Sequence, residues 1–364
     1  MNTSTPSISI IIPVYNAQKY LKNCLNDLID QTFRDIEIIC IDDGSSDTSL
    51  NILNEYARKD NRIKVFNQPN SGPATARNVG LDHATGQYVM FCDSDDWYEK
   101  NTCQIMLNTI QNTKADMVMC NTLFEYESEQ SKQVALSQHR IDESKYNHTC
   151  DELLKMNSKL RFQTNVLLWN KIWKMDIIRQ NGIRFPDGCE HDDDAFWYMY
   201  SFFTKNIYQL NQFLYHYVVR QNSIMDNYCS GKPKNKKDRM LISNAVFDFL
   251  KKNNLLKHYE NDMIAIYQIQ LFSALKFFDK NEKFELIKPV NAKIQKEWNP
   301  CMRIFLLKSG GVLFLKNKHA QIRMLFRFCV YKLISLFIRN YKKRKLEEMS
   351  DCLTQLFKHN PQIF

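Results

Sequence analysis

Acidic residues are the groups in this sequence best suited to chemistry, and they occur in three short clusters. Asp93, Asp95 and Asp96 directly follow the apolar run 88–92. Hard divalent cations such as Mg²⁺ bind one or two carboxylates together with phosphate oxygens of a substrate. This cluster therefore predicts a site for a divalent cation, Mn²⁺ or Mg²⁺. The competing interpretation is an acidic turn in which Asp96 caps a helix that begins at Trp97.

The second acidic cluster, Asp42 and Asp43, follows the apolar run 36–41. Its carboxylates could hydrogen-bond a base or a ribose, although a turn with a helix cap gives the same pattern. Further along the chain, segment 70–80 opens a helix, and helix N-termini favour anions. Arg77 in that segment could bind a diphosphate through two parallel N–H donors of its guanidinium. A single arginine is more commonly an ordinary residue on a helix surface.

The third acidic cluster is Asp192, Asp193 and Asp194, which follows a turn signal at 185–188. Mutual repulsion among adjacent carboxylates raises their affinity for a proton, which suits a general base. The alternative, which the residues alone favour, is a solvated acidic turn.

The elements that must position these clusters alternate between strand and helix. Apolar, β-branched runs predict strands at 8–12, 36–41, 62–66, 87–92 and 116–120, and apolar residues at helical spacing predict helices at 17–29, 47–57 and 72–84. Such alternation implies right-handed crossovers and a mostly parallel sheet. Ligands of these sheets bind beyond the carboxyl ends of the strands, where the first two clusters fall. A helix at 195–203, one or two strands at 207–218 and helices from about 235 complete the prediction.

The chain has 364 residues and a formal net charge of +9, but the charge is unevenly placed. Segment 301–345 carries twelve Lys or Arg and no Asp or Glu. Basic residues interleaved with apolar ones at 323–345 predict contact with an anionic membrane surface, and an ordinary core helix explains them equally well. No charge-free apolar run reaches the ~18 residues of a spanning helix. Eleven cysteines without a C-x-x-C pair argue against structural zinc and favour the reducing cytoplasm.

Taken together, these motifs resemble the family 2 glycosyltransferases of the GT-A fold. The matching segments are SIIIPVYN at 9–16, QTF at 31–33, IDDGSSD at 41–47, NSG with ARN at 70–78, and FCDSDD at 91–96. The resemblance implies an α/β fold of the GT-A type, with a mostly parallel sheet flanked by helices and a mainly helical C-terminal extension. We expect a nucleotide-sugar-binding half at 1–125, an acceptor-binding half at 126–228, and a helical basic region at 229–364.

A weaker resemblance to the acceptor half of the family covers about 165–225. It rests on WNKI at 169–172, FPDG at 185–188, and YHY at 215–217 with Arg220. Many relatives have a Glu-Asp pair after the turn, and this resemblance implies that Asp193 is the catalytic base. The pair reads Asp192-Asp193 here, so the resemblance leaves open whether Asp192 or Asp194 takes that role.

The resemblance also implies roles for residues of the first half. Pro13, Tyr15 and Asp43 should contact the base and ribose of the nucleotide, Arg77 should lie near the nucleotide, Asp93 should lie by the ribose, and Asp95 should bind the metal. The donor would be a nucleotide diphosphate sugar, with uridine as the expected base. The acceptor would be a glycan or a lipid-linked molecule in bacterial surface polysaccharide or lipopolysaccharide synthesis. Transfer would invert the anomeric centre. No Gln-x-x-Arg-Trp segment is present, which favours transfer of a single sugar.

Three other classes of protein fit the sequence less well. A nucleotidyltransferase needs a glycine- and lysine-rich phosphate loop after the first strand, and segment 13–16 is not one. A nucleic-acid-binding protein could use the basic tail, but no recognition motif is present and the acidic strand ends would repel phosphates. A dinucleotide-dependent oxidoreductase would have a G-x-G-x-x-G segment, which is absent.

Overall fold

The computed structural model describes residues 5–137, 147–220, 223, 237–278, 280–297, 303–306 and 312–315. The chain forms two compact units, Met1–Phe278 and Asp279–Phe364. The first unit contains all the predicted site residues. The boundaries predicted at 125 and 228 lie inside this unit and remain predictions.

The first unit begins with alternating strands and helices, as predicted. The elements are β1 (Ile8–Val14), α1 (Leu21–Ile29), β2 (Ile36–Asp42), α2 (Ser49–Lys59), β3 (Ile63–Asn67), α3 (Pro73–His83) and β4 (Tyr88–Phe91). The four strands lie in the order β3-β2-β1-β4, and all their pairings are parallel. Every residue of β2 is buried, which is typical of a parallel strand covered by helices on both faces.

The second half of this unit widens the sheet with mostly antiparallel pairs, although β6 and β9 pair in parallel. It contains β5 (Trp97–Tyr98), α4 (Thr102–Thr113), β6 (Met117–Tyr126), α5 (Glu129–Ser137), β7 (Glu152–Lys155), α6 (Ser158–Gln163), β8 (Lys171–Lys174), α7 (Met175–Asn181), α8 (Asp192–Ser201) and β9 (Asn206–Val219). The sheet continues from β4 as β8-β6-β9-β5, and β7 pairs with β9. Strand β8 lies antiparallel between β4 and β6, so the strand predicted at 116–120 does not neighbour β4.

Residues Trp97 and Tyr98 form a strand, so the alternative of a helix capped by Asp96 is wrong. Trp97 pairs with His216 of β9, and the two rings stack with centroids 3.4 Å apart. The Asp96 carboxylate accepts the Tyr215 hydroxyl at 2.7 Å and the Val218 amide at 2.8 Å. These bonds tie the acidic strand end to β9, and the helix begins only at Thr102.

Helix α3 packs closely on β1 because a glycine faces the strand. A Cβ added at Gly80 would overlap Cγ2 of Ile11, a fully buried residue of β1. The absence of a side chain therefore lets the helix that carries Arg77 approach the centre of the sheet.

Two helices follow in the first unit, α9 (Asp238–Lys252) and α10 (Glu260–Ala274), and α9 packs against both α8 and α10. The second unit contains α11 (Lys280–Glu297) and an antiparallel pair, β10 (Arg303–Leu306) and β11 (Val312–Leu315). The helices agree with the predicted helical region, whereas the two short strands were not predicted. Within the described ranges no helix is long and apolar enough to cross a membrane. The basic segment 323–345 lies outside the described residues.

Candidate active site

The loops after β1 and β2 are joined by hydrogen bonds at the carboxyl edge of the sheet. The Asn16 amide donates to Ser45 Oγ at 3.0 Å, and Asn16 Oδ1 accepts the Ser46 amide at 2.8 Å. Asn16 has a positive φ of 48°, a region that asparagine tolerates better than most residues. The preceding Tyr15 is 53% exposed, and Pro13 is partly buried. The predicted pair Pro13 and Tyr15 thus lies at a rigid, accessible edge.

Asp43 lies beneath the loop that leads into α3. Its Oδ1 accepts Gln68 Nε2 at 2.7 Å and the Ser71 amide at 2.8 Å, and its Oδ2 accepts the Gly72 amide at 2.8 Å. The side chain is buried, so in this structure it positions the start of α3. Contact of Asp43 with the base and ribose remains a prediction. The neighbouring Asp42 has a buried Oδ1 without a hydrogen-bond partner.

Arg77 links two of the three acidic clusters. Its Nη1 donates to both carboxylate oxygens of Asp192, at 2.9 and 2.8 Å, and its Nη2 donates to Asp93 Oδ1 at 2.9 Å. Burial lowers the pKa of Arg77, but the two carboxylates outweigh it and raise that pKa above its usual value. The guanidinium thus holds the end of β4 against the N-terminus of α8, two segments 100 residues apart in the chain.

Asp95 pairs with Arg220, which directly follows β9. Arg220 Nε lies 2.5 Å from Asp95 Oδ2, and the two side chains are 31% and 18% exposed. Burial raises the pKa of Asp95, and Arg220 opposes that rise. Within the described residues no group of three His, Cys, Asp or Glu could hold a metal alone. The hard oxygen donors of Asp93 and Asp95 fit a divalent cation that takes the rest of its ligands from a diphosphate and water.

The three aspartates that open α8 have different environments. Asp192 is buried against Arg77, and Asp194 is buried against Arg239 at 2.5 Å and Gln270 Nε2 at 2.6 Å. The Asp193 carboxylate is partly exposed and accepts only the amide of Asp194, at 3.0 Å. Burial and the two flanking carboxylates raise the pKa of Asp193 to about 7. Of these three acids, Asp193 alone lacks a basic hydrogen-bond partner within the described structure.

Helix α3 also binds the turn that precedes α8. Asn78 Nδ2 donates to the Phe185 carbonyl at 2.8 Å, and the Phe185 amide donates to Asn78 Oδ1 at 3.0 Å. Thr75 Oγ1 donates to Asp187 Oδ1 at 3.0 Å. Helix α3 therefore contacts both the end of β4 and the segment that leads into α8.

A buried lysine lies beside the acidic helix. Lys171 of β8 is fully buried, and its Nζ donates to Asn165 Oδ1 at 2.5 Å, Asn170 Oδ1 at 2.8 Å and the Leu167 carbonyl at 2.5 Å. Burial lowers the pKa of Lys171 to about 7, and Cys120 and Asp193 oppose that fall. The contact fixes the segment before β8, which the resemblance assigns to the acceptor half.

The structure brings the predicted residues together at one edge of the sheet. Asp43 holds the loop into α3, α3 carries Arg77, and Arg77 binds Asp93 and Asp192. Four residues of this region were not identified as site residues from the sequence: Asn78, Asp238, Arg239 and Gln270. Asn78 lies in the ARN segment that carries the resemblance. Nothing in the local pattern distinguishes the other three, because their contacts come from segments distant in the chain.

The fold and the site define an α/β protein of the GT-A type with acidic side chains at the carboxyl edge of its sheet. The Glycosyl transferase family 2 model matches residues 9–175. EpsH of Bacillus subtilis (strain 168) is 33% identical over 265 residues, which cover 71% of this chain and 73% of EpsH. Glycosyltransferase GlyG of Streptococcus pneumoniae serotype 4 is 32% identical over 226 residues, covering 60% of this chain and 72% of GlyG. The chain belongs to glycosyltransferase family 2.

Solved structures agree with this fold. The crystal structure of Staphylococcus aureus TarS 1–349 in complex with UDP-GlcNAc matches with a TM-score of 0.53 and 19% identity, covering 86% of this chain and 97% of that one. In sequence, the poly(ribitol-phosphate) β-N-acetylglucosaminyltransferase TarS of S. aureus (strain MW2) is 26% identical over 274 residues. Those residues cover 73% of this chain and 45% of TarS, so this chain corresponds to less than half of that protein.

Proposed function

We propose that this glycosyltransferase moves one sugar from a uridine diphosphate sugar to an acceptor hydroxyl, with inversion at the anomeric carbon. The observation that carries the proposal is the environment of Asp193. It is the one acid at the start of α8 without a basic hydrogen-bond partner in the described structure, and it adjoins the Asp192–Arg77–Asp93 bridge. A carboxylate in that position can accept a proton next to a bound donor.

The donor would lie across the carboxyl edge of β1, β2 and β4. Tyr15 offers an exposed ring on which a base can stack, and Pro13 lies close to it in the chain. Asp93 would lie by the ribose. The solved TarS complex with UDP-GlcNAc, a protein of the same fold, supports uridine as the base. Arg77 would act near the nucleotide by keeping Asp93 in place.

Asp95, with Asp93 beside it, would hold a divalent cation together with the donor diphosphate. A cation there supplies positive charge that offsets the charge developing on the leaving diphosphate. In this structure Arg220 forms an ion pair with Asp95. A guanidinium can also bind phosphate through two parallel N–H donors. The acidic pair and the arginine therefore form a surface of mixed charge that fits a diphosphate with its counterion.

Asp193 would accept the proton of the acceptor hydroxyl as the oxygen attacks the anomeric carbon. General-base catalysis of this kind contributes roughly 10²–10⁴-fold to a rate. A single displacement inverts the anomeric centre, so no side chain has to form a covalent intermediate. The raised pKa of Asp193, about 7, suits a group that takes up and releases a proton near neutral pH.

The acceptor would be a glycan or a lipid-linked molecule of a bacterial surface polysaccharide or lipopolysaccharide. The name of TarS, a transferase that acts on poly(ribitol-phosphate), supports a polymer of the cell surface as the class. Transfer of a single sugar rests on the lack of a Gln-x-x-Arg-Trp segment.

The test is a donor panel with and without Mn²⁺. UDP-glucose, UDP-galactose, UDP-N-acetylglucosamine and GDP-mannose would each be mixed with the enzyme and a set of glycan and lipid-linked acceptors, and released nucleoside diphosphate measured. We expect release from a UDP-sugar that EDTA abolishes and that Asp95→Ala loses. Asp176→Asn, an exposed acid on α7, is the matched control and should keep full activity. Equal release by Asp95→Ala, or release from no donor, would refute the proposal.

A further inference from the structure

The N-terminus of α9 contacts the acidic segment, residues 190–194, on both sides of Asp193. Asp238 accepts the Glu190 amide at 2.7 Å, the His191 amide at 3.3 Å and His191 Nδ1 at 2.8 Å. The next residue, Arg239, donates from Nη1 to Asp194 Oδ2 at 2.5 Å. Two consecutive residues of α9 thus hold the residues that precede and follow the Asp192-Asp193 pair.

These contacts are buried, so their geometry is restrained. Asp238 is 2% exposed, His191 6% and Asp194 8%. Gln270 of α10, also buried, donates from Nε2 to Asp194 Oδ2 at 2.6 Å and accepts from Arg239 at 3.4 Å. Buried polar groups that satisfy one another specify a single arrangement, because any other leaves a charge without a partner.

We propose that Asp238 and Arg239 are positioning residues for the general base, so that α9 and α10 form part of the catalytic unit. This inference rests on the proposed role of Asp193. Arg77 fixes Asp192 from the donor side, and Asp238 and Arg239 fix His191 and Asp194 from the opposite side of the chain segment. Of the three aspartates that open α8, Asp193 is then the one whose carboxylate is left to face an acceptor in the described structure.

The charges around Asp193 give this proposal an electrostatic consequence. Asp192 and Asp194 on its own helix raise its pKa, and His191 and Arg239 lower it. Lys171 of β8 interacts with it as well. Loss of the Arg239 charge leaves Asp194 unneutralised beside Asp193, so Asp193 should hold its proton to a higher pH.

The test compares Arg239→Met, Arg239→Lys and a matched control, Arg161→Met. Arg161 also forms an ion pair, more deeply buried than that of Arg239, with Nη1 2.5 Å from Asp262 Oδ2, and it contacts Ser201 at the opposite end of α8. The readouts are UDP affinity, melting temperature, and kcat as a function of pH with the best UDP-sugar of the donor panel. The control reports what loss of a buried arginine does to stability alone.

For Arg239→Met we expect kcat at pH 7 to fall by about tenfold or more, because small misplacements of a catalytic group are costly. The acid limb of the kcat profile should move to higher pH by at least about 0.5 unit. UDP affinity should stay near that of the wild type. Arg239→Lys should restore the position of the limb, and Arg161→Met should lower the melting temperature without moving the limb.

An acid limb that stays in place in Arg239→Met, or that moves equally in Arg161→Met, would overturn the proposal. Asp193→Asn, measured in parallel, separates a test of the role of Asp193 as the base from a test of the positioning role of Arg239. Normal turnover by Asp193→Asn would refute the role of Asp193 itself. Loss of turnover in Asp193→Asn combined with a wild-type profile in Arg239→Met would refute only the positioning role.

Discussion

At the scale of single residues, three adjacent aspartates differ because their neighbours differ. Asp192 and Asp194 have the same carboxylate as Asp193, but each forms an ion pair with an arginine, Arg77 for Asp192 and Arg239 for Asp194. An ion pair with an arginine fixes the position of a buried carboxylate, which suits a structural role. Asp193 combines partial exposure with a raised pKa, a combination typical of catalytic carboxylates.

The raised pKa of Asp193 predicts a pH dependence of turnover. Asp193 must be ionised to accept a proton, and its ionised form is lost as the pH falls through about 7. We therefore expect kcat to be constant above that pH and to fall about tenfold per unit well below it. The measurement is kcat at saturating donor from pH 5 to 9, with UDP affinity followed in the same buffers as a control. A profile that remains flat down to pH 5 would contradict the assignment.

At the scale of elements, α3 is the helix that joins the two halves of the site. It begins at the loop held by Asp43, carries Arg77, and binds the turn before α8 through Asn78. Its distance from β1 is set at Gly80. Displacement of this one helix would therefore disturb the donor side and the acidic segment together.

Gly80→Ala should destabilise the protein because the added methyl overlaps Ile11 in the core. Overpacking of this kind typically costs about 1–3 kcal/mol. The measurement is the free energy of unfolding by urea. Asp82→Ala is the matched control on the same helix, because its ion pair with Arg184 is exposed and such pairs contribute little. Equal stability of Gly80→Ala and the wild type would show that α3 can shift without cost.

The sequence was sufficient to predict the parallel half of the sheet, where each strand and helix has a strong local pattern. It also placed the acidic clusters at strand ends, since β2 and β4 end just at them. It was not sufficient for Trp97, whose strand depends on pairing with His216, about 120 residues away. The contacts of Asp238 and Arg239 with the acidic segment were inaccessible for the same reason, because they depend on tertiary packing.

At the scale of the whole molecule, the basic segment 323–345 predicts a peripheral position on the inner face of the plasma membrane. Each Lys or Arg near an anionic surface contributes about 1 kcal/mol. The full chain should float with phosphatidylglycerol-containing vesicles and not with neutral ones. Replacing Lys342, Lys343, Arg344 and Lys345 with Glu should abolish flotation while leaving UDP binding intact. Flotation that is indifferent to lipid charge would contradict the prediction.

The proposed mechanism requires carboxylates from distant segments of the chain to act on one donor and one acceptor. The most direct measurement is turnover and UDP affinity of Asp193→Asn with the UDP-sugar that gives the fastest release. We expect kcat to fall roughly 10²–10⁴-fold, with UDP affinity unchanged because the proposed role of Asp193 is toward the acceptor. Wild-type turnover by Asp193→Asn would contradict the central claim that this carboxylate is the base.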